Sequence, residues 1–279
     1  MSENLCLVLG SILVFLCYVN TIIAALPKFF CSMVQVQDIL HRALAVIIAF
    51  LPVSFRIKLW QYALRQGTRR WPRESTAQRI PAGMYAKIGT ERVIRLSEGQ
   101  ALRHIHAHTS GIPVPRVIDN FTHKGVTYLI MTRLPGYPLN DPDRYFEIDP
   151  RVEHLLSAQL TSLLAPLRAL PPPSDAICGF DGGPIYDVRV RYPDGKPAGP
   201  WSSVSEFHED LLRRTCGLKF PEHVDSEAAL DVIKRAHARQ HRVCLTHNDL
   251  GPHNLLVDDD WNITGIVDWE AAAWMPEYW

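Results

Sequence analysis

The stretch THNDLGPHNLLVDDDWNITGIVDWE, residues 246–270, constrains the fold of this chain more than any other. Its apolar runs, VCLT (243–246), NLLV (254–257) and ITGIVD (263–268), read as short strands, and the residues between them are turn formers. A tight loop between the first two strands brings Asp249 and Asn254 together, and the third strand delivers Asp268 opposite them. One such residue alone would be an ordinary turn residue. His247, Asp249, Asn254 and Asp268 together, each followed by an apolar segment, form a more specific pattern. Phosphoryl transfer needs these parts: a carboxylate to accept the proton of an acceptor hydroxyl, and two oxygen ligands to hold Mg²⁺ against ATP.

The texture upstream supports a folded α/β chain from about Pro81 onward. MYAKI (84–88) and ERVIR (91–95) predict two short strands separated by a Gly89-Thr90 turn. Ser97 reads as the N-cap of a helix running to about Thr109, ended by Gly111, Pro113 and Pro115. VTYLIM (126–131) predicts a central strand, broken by Leu134-Pro135-Gly136. Leu155, Leu156, Leu160, Leu163, Leu164 and Leu167 recur at helical spacing, and further helices are expected around 203–214 and 226–241. A strand-rich first half and a helical second half argue for an α+β fold in two lobes. The expected division is a small antiparallel β N-lobe over 81–134 and a mainly helical C-lobe over 135–279.

The H-x-D-x-x-x-x-N run from His247 to Asn254, followed by the strand that ends Val267-Asp268-Trp269-Glu270, resembles the catalytic and metal loops of the aminoglycoside phosphotransferase family. Other pieces agree in order. They are Tyr85-x-Lys87-Ile88-Gly89, Glu98-x-x-Ala101-Leu102-Arg103, Ile112-Pro113-Val114-Pro115, Leu129-Ile130-Met131-x-x-Leu134-Pro135-Gly136 and Gly199-Pro200-Trp201. The resemblance covers about residues 81 to 279 and implies a protein-kinase-like fold that uses ATP and Mg²⁺. By that resemblance Asp249 is the catalytic carboxylate, His247 braces its loop, and Asn254 and Asp268 are the magnesium ligands. Lys87 would contact the ATP phosphates with Glu98 as its partner, and the backbone from Thr132 through Arg133 to Leu134 would face the adenine. The acceptor would be a hydroxyl group of a small molecule that the resemblance does not identify.

Three departures accompany the resemblance. Ile80-Pro81-Ala82-Gly83 offers one glycine ahead of Lys87 where a phosphate cradle would use several. Asn248 stands where the family often has Gly. The chain stops at Trp279, where relatives usually continue, so the C-lobe is expected to be truncated. These features keep a second reading open: a pseudokinase-like nucleotide-binding or scaffold protein, weak or inactive as a catalyst. A zinc site is not expected, because His237 and His241 on one predicted helix lack a third ligand in register.

Charge and cysteine content exclude other classes. Lys+Arg and Asp+Glu number 29 each, so no overall field recruits nucleic acid. The six cysteines form no C-x-x-C pair and read as reduced thiols. The uncharged run Leu5 to Leu26 is long enough to cross a bilayer, which makes residues 1–30 an expected membrane anchor, with a cleaved signal peptide or a buried helix as the competing readings. Lys28 and Arg42 on its C-terminal side place the remaining chain in the cytosol; without the anchor the chain would be cytoplasmic. Residues 31–80 read as a basic amphipathic linker, whose Arg56, Lys58, Arg65, Arg69, Arg70 and Arg73 suit either solvent or an anionic membrane surface.

Overall fold

The structure, a computed structural model, describes residues 30–73, 76–143, 148–187, 189–190, 195–215 and 225–279. The apolar run 5–26, and with it the expected membrane helix, lies outside them. Among the described residues no helix is long and apolar enough to cross a membrane. The chain divides into two compact units, Met1–Arg103 with Pro113–Gly136, and His104–Ile112 with Tyr137–Trp279.

The first unit is an antiparallel sheet under two helices. Its strands are β1 (Ala77–Ile80), β2 (Met84–Thr90), β3 (Val117–His123) and β4 (Val126–Thr132), ordered β1-β2-β4-β3. β4 is buried at every position after its first, as its run of aromatic and β-branched residues leads one to expect of a central strand. Its hairpin with β3 turns on Lys124 and Gly125, both at positive φ, a pair that matches the right-handed twist of the strands. The strand expected at 91–95 is instead a turn. Val93 and Ile94 both donate to Thr90 O at 2.9 Å, and this winds the chain straight into α3 rather than into a second strand.

α1 (Phe30–Ala49) and α2 (Val53–Arg70) cover one face of that sheet, α1 over β3 and α2 over β1. The segment 31–80, read as a linker from its charge, therefore carries two helices and a strand of the unit's core. Leu44 and Ile48 of α1 and Leu59, Trp60 and Ala63 of α2 join Ile80, Met84, Ala86, Ile118, Tyr128 and Ile130 of the sheet in one buried cluster. Gly67 permits the close approach of α2 to β1, since a Cβ there would stand 2.3 Å from Arg79 O. A register shift in β3 between Val117 and Asp119 lets Ile118 and Asp119 both face the helices. Asp119 then accepts from Trp60 Nε1 at 2.7 Å and from Arg56 Nε at 2.9 Å, while the Arg56 guanidinium lies 4.0 Å over Phe121. A buried carboxylate thus gains a cation and a neutral donor, both from α2.

The second unit begins in α3 (Leu96–His108), whose last residues, from His104, belong to it. Its whole described helices are α4 (Pro150–Arg168), α5 (Val204–Thr215) and α6 (Ser226–His237). Asp149 caps α4 by accepting from Arg151 N at 2.8 Å and Val152 N at 2.9 Å, ahead of Pro150 at the first turn. α6 ends four residues earlier than its apolar spacing suggests, because Arg239 N turns back to Ala236 O. Two small antiparallel sheets complete the unit. One has the order β6-β10-β7, from Cys178–Gly179, Ala273–Pro276 and Val243–Thr246. The other has the order β5-β8-β9, from Tyr137–Pro138, Leu255–Val257 and Ile263–Ile266. Cys178 and Cys244 are buried free thiols, both pushed up in pKa by burial.

Candidate active site

Strand alternation decides the environment of Lys87. Met84 and Ala86 point into the core under α1 and α2, so Lys87 projects from the opposite face of β2. There its Nζ lies 2.9 Å from both carboxylate oxygens of Glu98, in the first turn of α3. The two side chains are 4% and 1% exposed. A lone Lys on a strand and a lone Glu on a helix usually face solvent; here the structure buries them as a pair. The segment 132–134 follows at the end of β4. Thr132 N donates to Arg116 O at 2.9 Å and Arg133 N to Gly83 O at 2.8 Å, while Leu134 N has no protein partner among the described residues.

The turn ahead of Lys87 is short and tied down. Ala82 and Gly83 both have positive φ, and His41 Nε2 donates to Ala82 O at 2.9 Å. Burial lowers the pKa of His41, which keeps the ring neutral for that bond.

In the second unit β7 leads into a loop, then a 3-10 turn, Pro252–Asn254, and then β8. His247, almost fully buried, uses both ring nitrogens inside the protein. Nε2 lies 2.8 Å from Val267 O, which can only accept, and Nδ1 accepts from Asp249 N at 3.2 Å. The proton is therefore on Nε2, and burial lowers the pKa so that the ring stays neutral. Neither nitrogen remains for proton transfer, so bracing the loop is the role this geometry leaves to His247. The ring also meets Trp269 edge-on at 4.6 Å.

Asn254 donates through Nδ2 to Asp249 O at 2.8 Å and to Asp249 Oδ2 at 3.2 Å. Its backbone O accepts from Val267 N at 3.0 Å, which brings the loop against the residue next to Asp268. Asp268 follows β9 in a left-handed conformation, φ 64°, and leads into the 3-10 turn Trp269–Ala271. His247, Asp249, Asn254 and Asp268 thus gather in the second unit, and Lys87, Glu98 and residues 132–134 lie in the first.

Asn248 also has positive φ, 70°. That explains a substitution between Asn and Gly at this place, since Asn is the side chain that best tolerates this conformation after Gly. Its buried amide has no hydrogen-bond partner on either atom among the described residues, while its backbone O accepts from Arg189 Nη2 at 2.6 Å. Asp187, 4% exposed, holds Arg189 and accepts from Trp279 Nε1 at 3.3 Å. Sequence reading missed this Asp187–Arg189 support, because a pair two residues apart in an irregular segment carries no periodic signal.

A separate histidine group lies on α5, at the end of α6 and beyond it. His208 stacks on His237 with ring centroids 3.8 Å apart, and its Nε2 is 2.5 Å from Tyr278 Oη. Burial, with His237 alongside, lowers the pKa of His208 to about 4, and burial raises Tyr278 to about 12.

Residues 85–279 match the model of the APH phosphotransferase enzyme family. The chain belongs to that family. Among curated proteins no similar sequence was found. Among solved structures this phosphotransferase family member resembles a type VIII aminoglycoside-3'-phosphotransferase. The two are 20% identical over 76% of this chain and 77% of that one, with a TM-score of 0.40. An aminoglycoside phosphotransferase from Streptomyces rimosus, in complex with ADP and streptomycin, is 16% identical over 76% of each chain, with a TM-score of 0.42. A macrolide 2'-phosphotransferase of type I is 14% identical over 80% of this chain and 73% of that one, with a TM-score of 0.44. Assignment of the site in this family member rests on its own residues. Nδ2 of Asn254 is fixed by Asp249, which leaves Oδ1 as the acceptor atom of the amide. An amide oxygen and the Asp268 carboxylate make a donor set suited to a hard cation such as Mg²⁺.

Proposed function

We propose that the chain is an ATP- and Mg²⁺-dependent phosphotransferase that moves the γ-phosphate to a hydroxyl of a small molecule. The observation that carries this reading is the Asp249–Asn254 loop, braced by a neutral His247 against Val267, inside a chain of the phosphotransferase enzyme family. Asp249 takes the proton of the acceptor hydroxyl as its oxygen attacks the γ-phosphorus. The bond to the bridging oxygen of ADP breaks, so the products are a phosphate ester, ADP and a proton. Asn254 and Asp268 would hold magnesium, which would supply charge neutralisation on the phosphates. Lys87, oriented by Glu98, contacts phosphate oxygens, and Leu134 N–H is offered to the adenine. A membrane anchor within residues 1–30, with the phosphotransferase domain facing the cytosol, belongs to the same proposal.

One observation favours the alternative of a nucleotide-binding protein with little turnover. The turn before Lys87 has one glycine, where a cradle of backbone N–H groups around phosphates would use several. Kinetics separate the two readings. Asp249→Ala is expected to lower ATP consumption with a hydroxyl acceptor by about 10² to 10⁴-fold while Mg·ATP still binds. Asp268→Asn is expected to weaken nucleotide binding in magnesium more than in EDTA. A wild-type protein that binds Mg·ATP and shows no turnover against a broad set of hydroxyl compounds would favour the alternative.

A further inference from the structure

The outer face of the helical layer has no role in the reading above. α1 is apolar on two sides. Leu40, Leu44 and Ile48 enter the core, while Val36, Ile39, Val46 and Ile47 form a second stripe in solvent, which Phe50 in the turn after the helix continues. Phe50 is 85% exposed, Ile39 63% and Val46 59%. Single exposed apolar residues need no explanation, but four on one helical stripe and a fifth in the turn that follows do. α1 and α2 lie on the same face of the same sheet, one over β3 and the other over β1, so their outer sides share one surface. α2 adds Lys58, Arg65 and Arg69 on its outer side, with Arg70 at its end and Arg73 just beyond it, all exposed. The sequence from Ile39 to Arg73 contains no Asp or Glu at all.

We infer that the outer face of α1 and α2 rests on an anionic lipid surface, with the α1 stripe entering the headgroup boundary and the α2 cations meeting lipid phosphates. An apolar stripe flanked by uncompensated cations is the pattern of a helix that lies in an interface plane. Leu44 and Ile48 hold one side of α1 in the core of the sheet, so α1 lies on the membrane and does not cross it. A second copy of the chain is the weaker occupant. A two-fold contact would bring Lys58, Arg65, Arg69 and Arg70 against their own copies, with no acid on the same stretch to offset them. The inference stands on α1 and α2 alone and is independent of whether residues 5–26 anchor the chain.

The test uses the full chain with an environment-sensitive fluorescent amino acid at Val46 or Phe50, and at Val93 as an exposed control on the β2–α3 turn. Vesicles of phosphatidylcholine mixed with phosphatidylserine are expected to shift emission to the blue and to shield the probes at 46 and 50 from an aqueous quencher. The probe at 93 should not respond. Phosphatidylcholine alone, high salt, or the combined change Arg65→Glu, Arg69→Glu and Arg70→Glu should abolish the shift, with circular dichroism unchanged. These cations are exposed, so the variant is expected to fold. If its circular dichroism does change, the salt series on the wild-type chain decides. Probes at 46 and 50 that stay water-like on the mixed vesicles overturn the inference. So does a shift that is equal on neutral vesicles, or one that appears without lipid and grows with protein concentration, which would identify a second copy instead.

Discussion

Replacing Lys87 with methionine tests the energetics of the first unit directly. The change removes an ammonium that sits 2.9 Å from both Glu98 oxygens and leaves the carboxylate at 1% exposure without that cation. Removing one member of a buried pair costs about 3 to 5 kcal/mol, because the remaining charge has lost both water and its counter-charge. Replacing both members with apolar groups of similar size is far milder, and is often neutral. Lys87→Met with Glu98→Leu is therefore expected to recover most of the loss. The two units need not unfold together, so a single melting temperature is a poor reporter. Hydrogen exchange of β2 and β4 amides, read peptide by peptide, reports the local free energy instead. At tenfold per 1.4 kcal/mol, the single variant should exchange there about two to three and a half orders of magnitude faster. The double variant should lie near the wild type. Refutation is clear: a single variant that exchanges less than about tenfold faster, or a double variant whose loss equals the sum of both singles, means that the pair is not coupled in a buried environment.

Acid should weaken the second unit. His208 with a pKa of about 4, and His237 and His247 with lowered values, stay neutral when folded, whereas unfolded histidine titrates near 6.5. The unfolded state then binds more protons, so stability is full above about pH 6.5 and falls as pH drops toward about 4. Melting curves across that range should fall less steeply for His208→Gln than for the wild type, and equal slopes would show that this ring contributes nothing. Asn248→Gly should be neutral or stabilising by up to about 1 kcal/mol, because it relieves a positive φ and removes a buried amide without partners. Asn248→Val should destabilise by more than that. Thermal shifts of the two variants in the same direction would contradict this account of the backbone.

The strands and turns from β7 to β9 were more legible in the sequence than the helices and short strands around them. The loop from His247 to Asp268 announces itself because turn residues and apolar runs alternate at a spacing that local rules can read. β4 and α4 were legible for the same reason, one through β-branched and aromatic residues, the other through leucine periodicity. Short strands such as β1 and β10 have too few residues to show alternation, and tertiary pairing alone defines them. Arg56 illustrates the limit best. Its charge suggested a solvated linker, yet Asp119, sixty-three residues away, draws it into the core beside Trp60. No window around Arg56 contains that carboxylate. Asn248 shows the converse, a residue whose oddity in the motif becomes ordinary once its φ is known.

The two bonds made by the His247 ring have a thermodynamic corollary. Together with the Asn254–Val267 backbone bond, they close the chain between 247 and 267 into a short cross-linked ring, whose closure entropy is lost during folding and not at binding. A cation arriving at Asn254 and Asp268 would meet donors whose separation along the chain no longer matters. Its affinity should then depend on ionic radius and hydration, with only a small heat-capacity change, the signature of a rigid receptor. Loosening the ring by removing one imidazole bond would turn the same event into coupled ordering, which calorimetry would register as a more negative entropy at similar enthalpy.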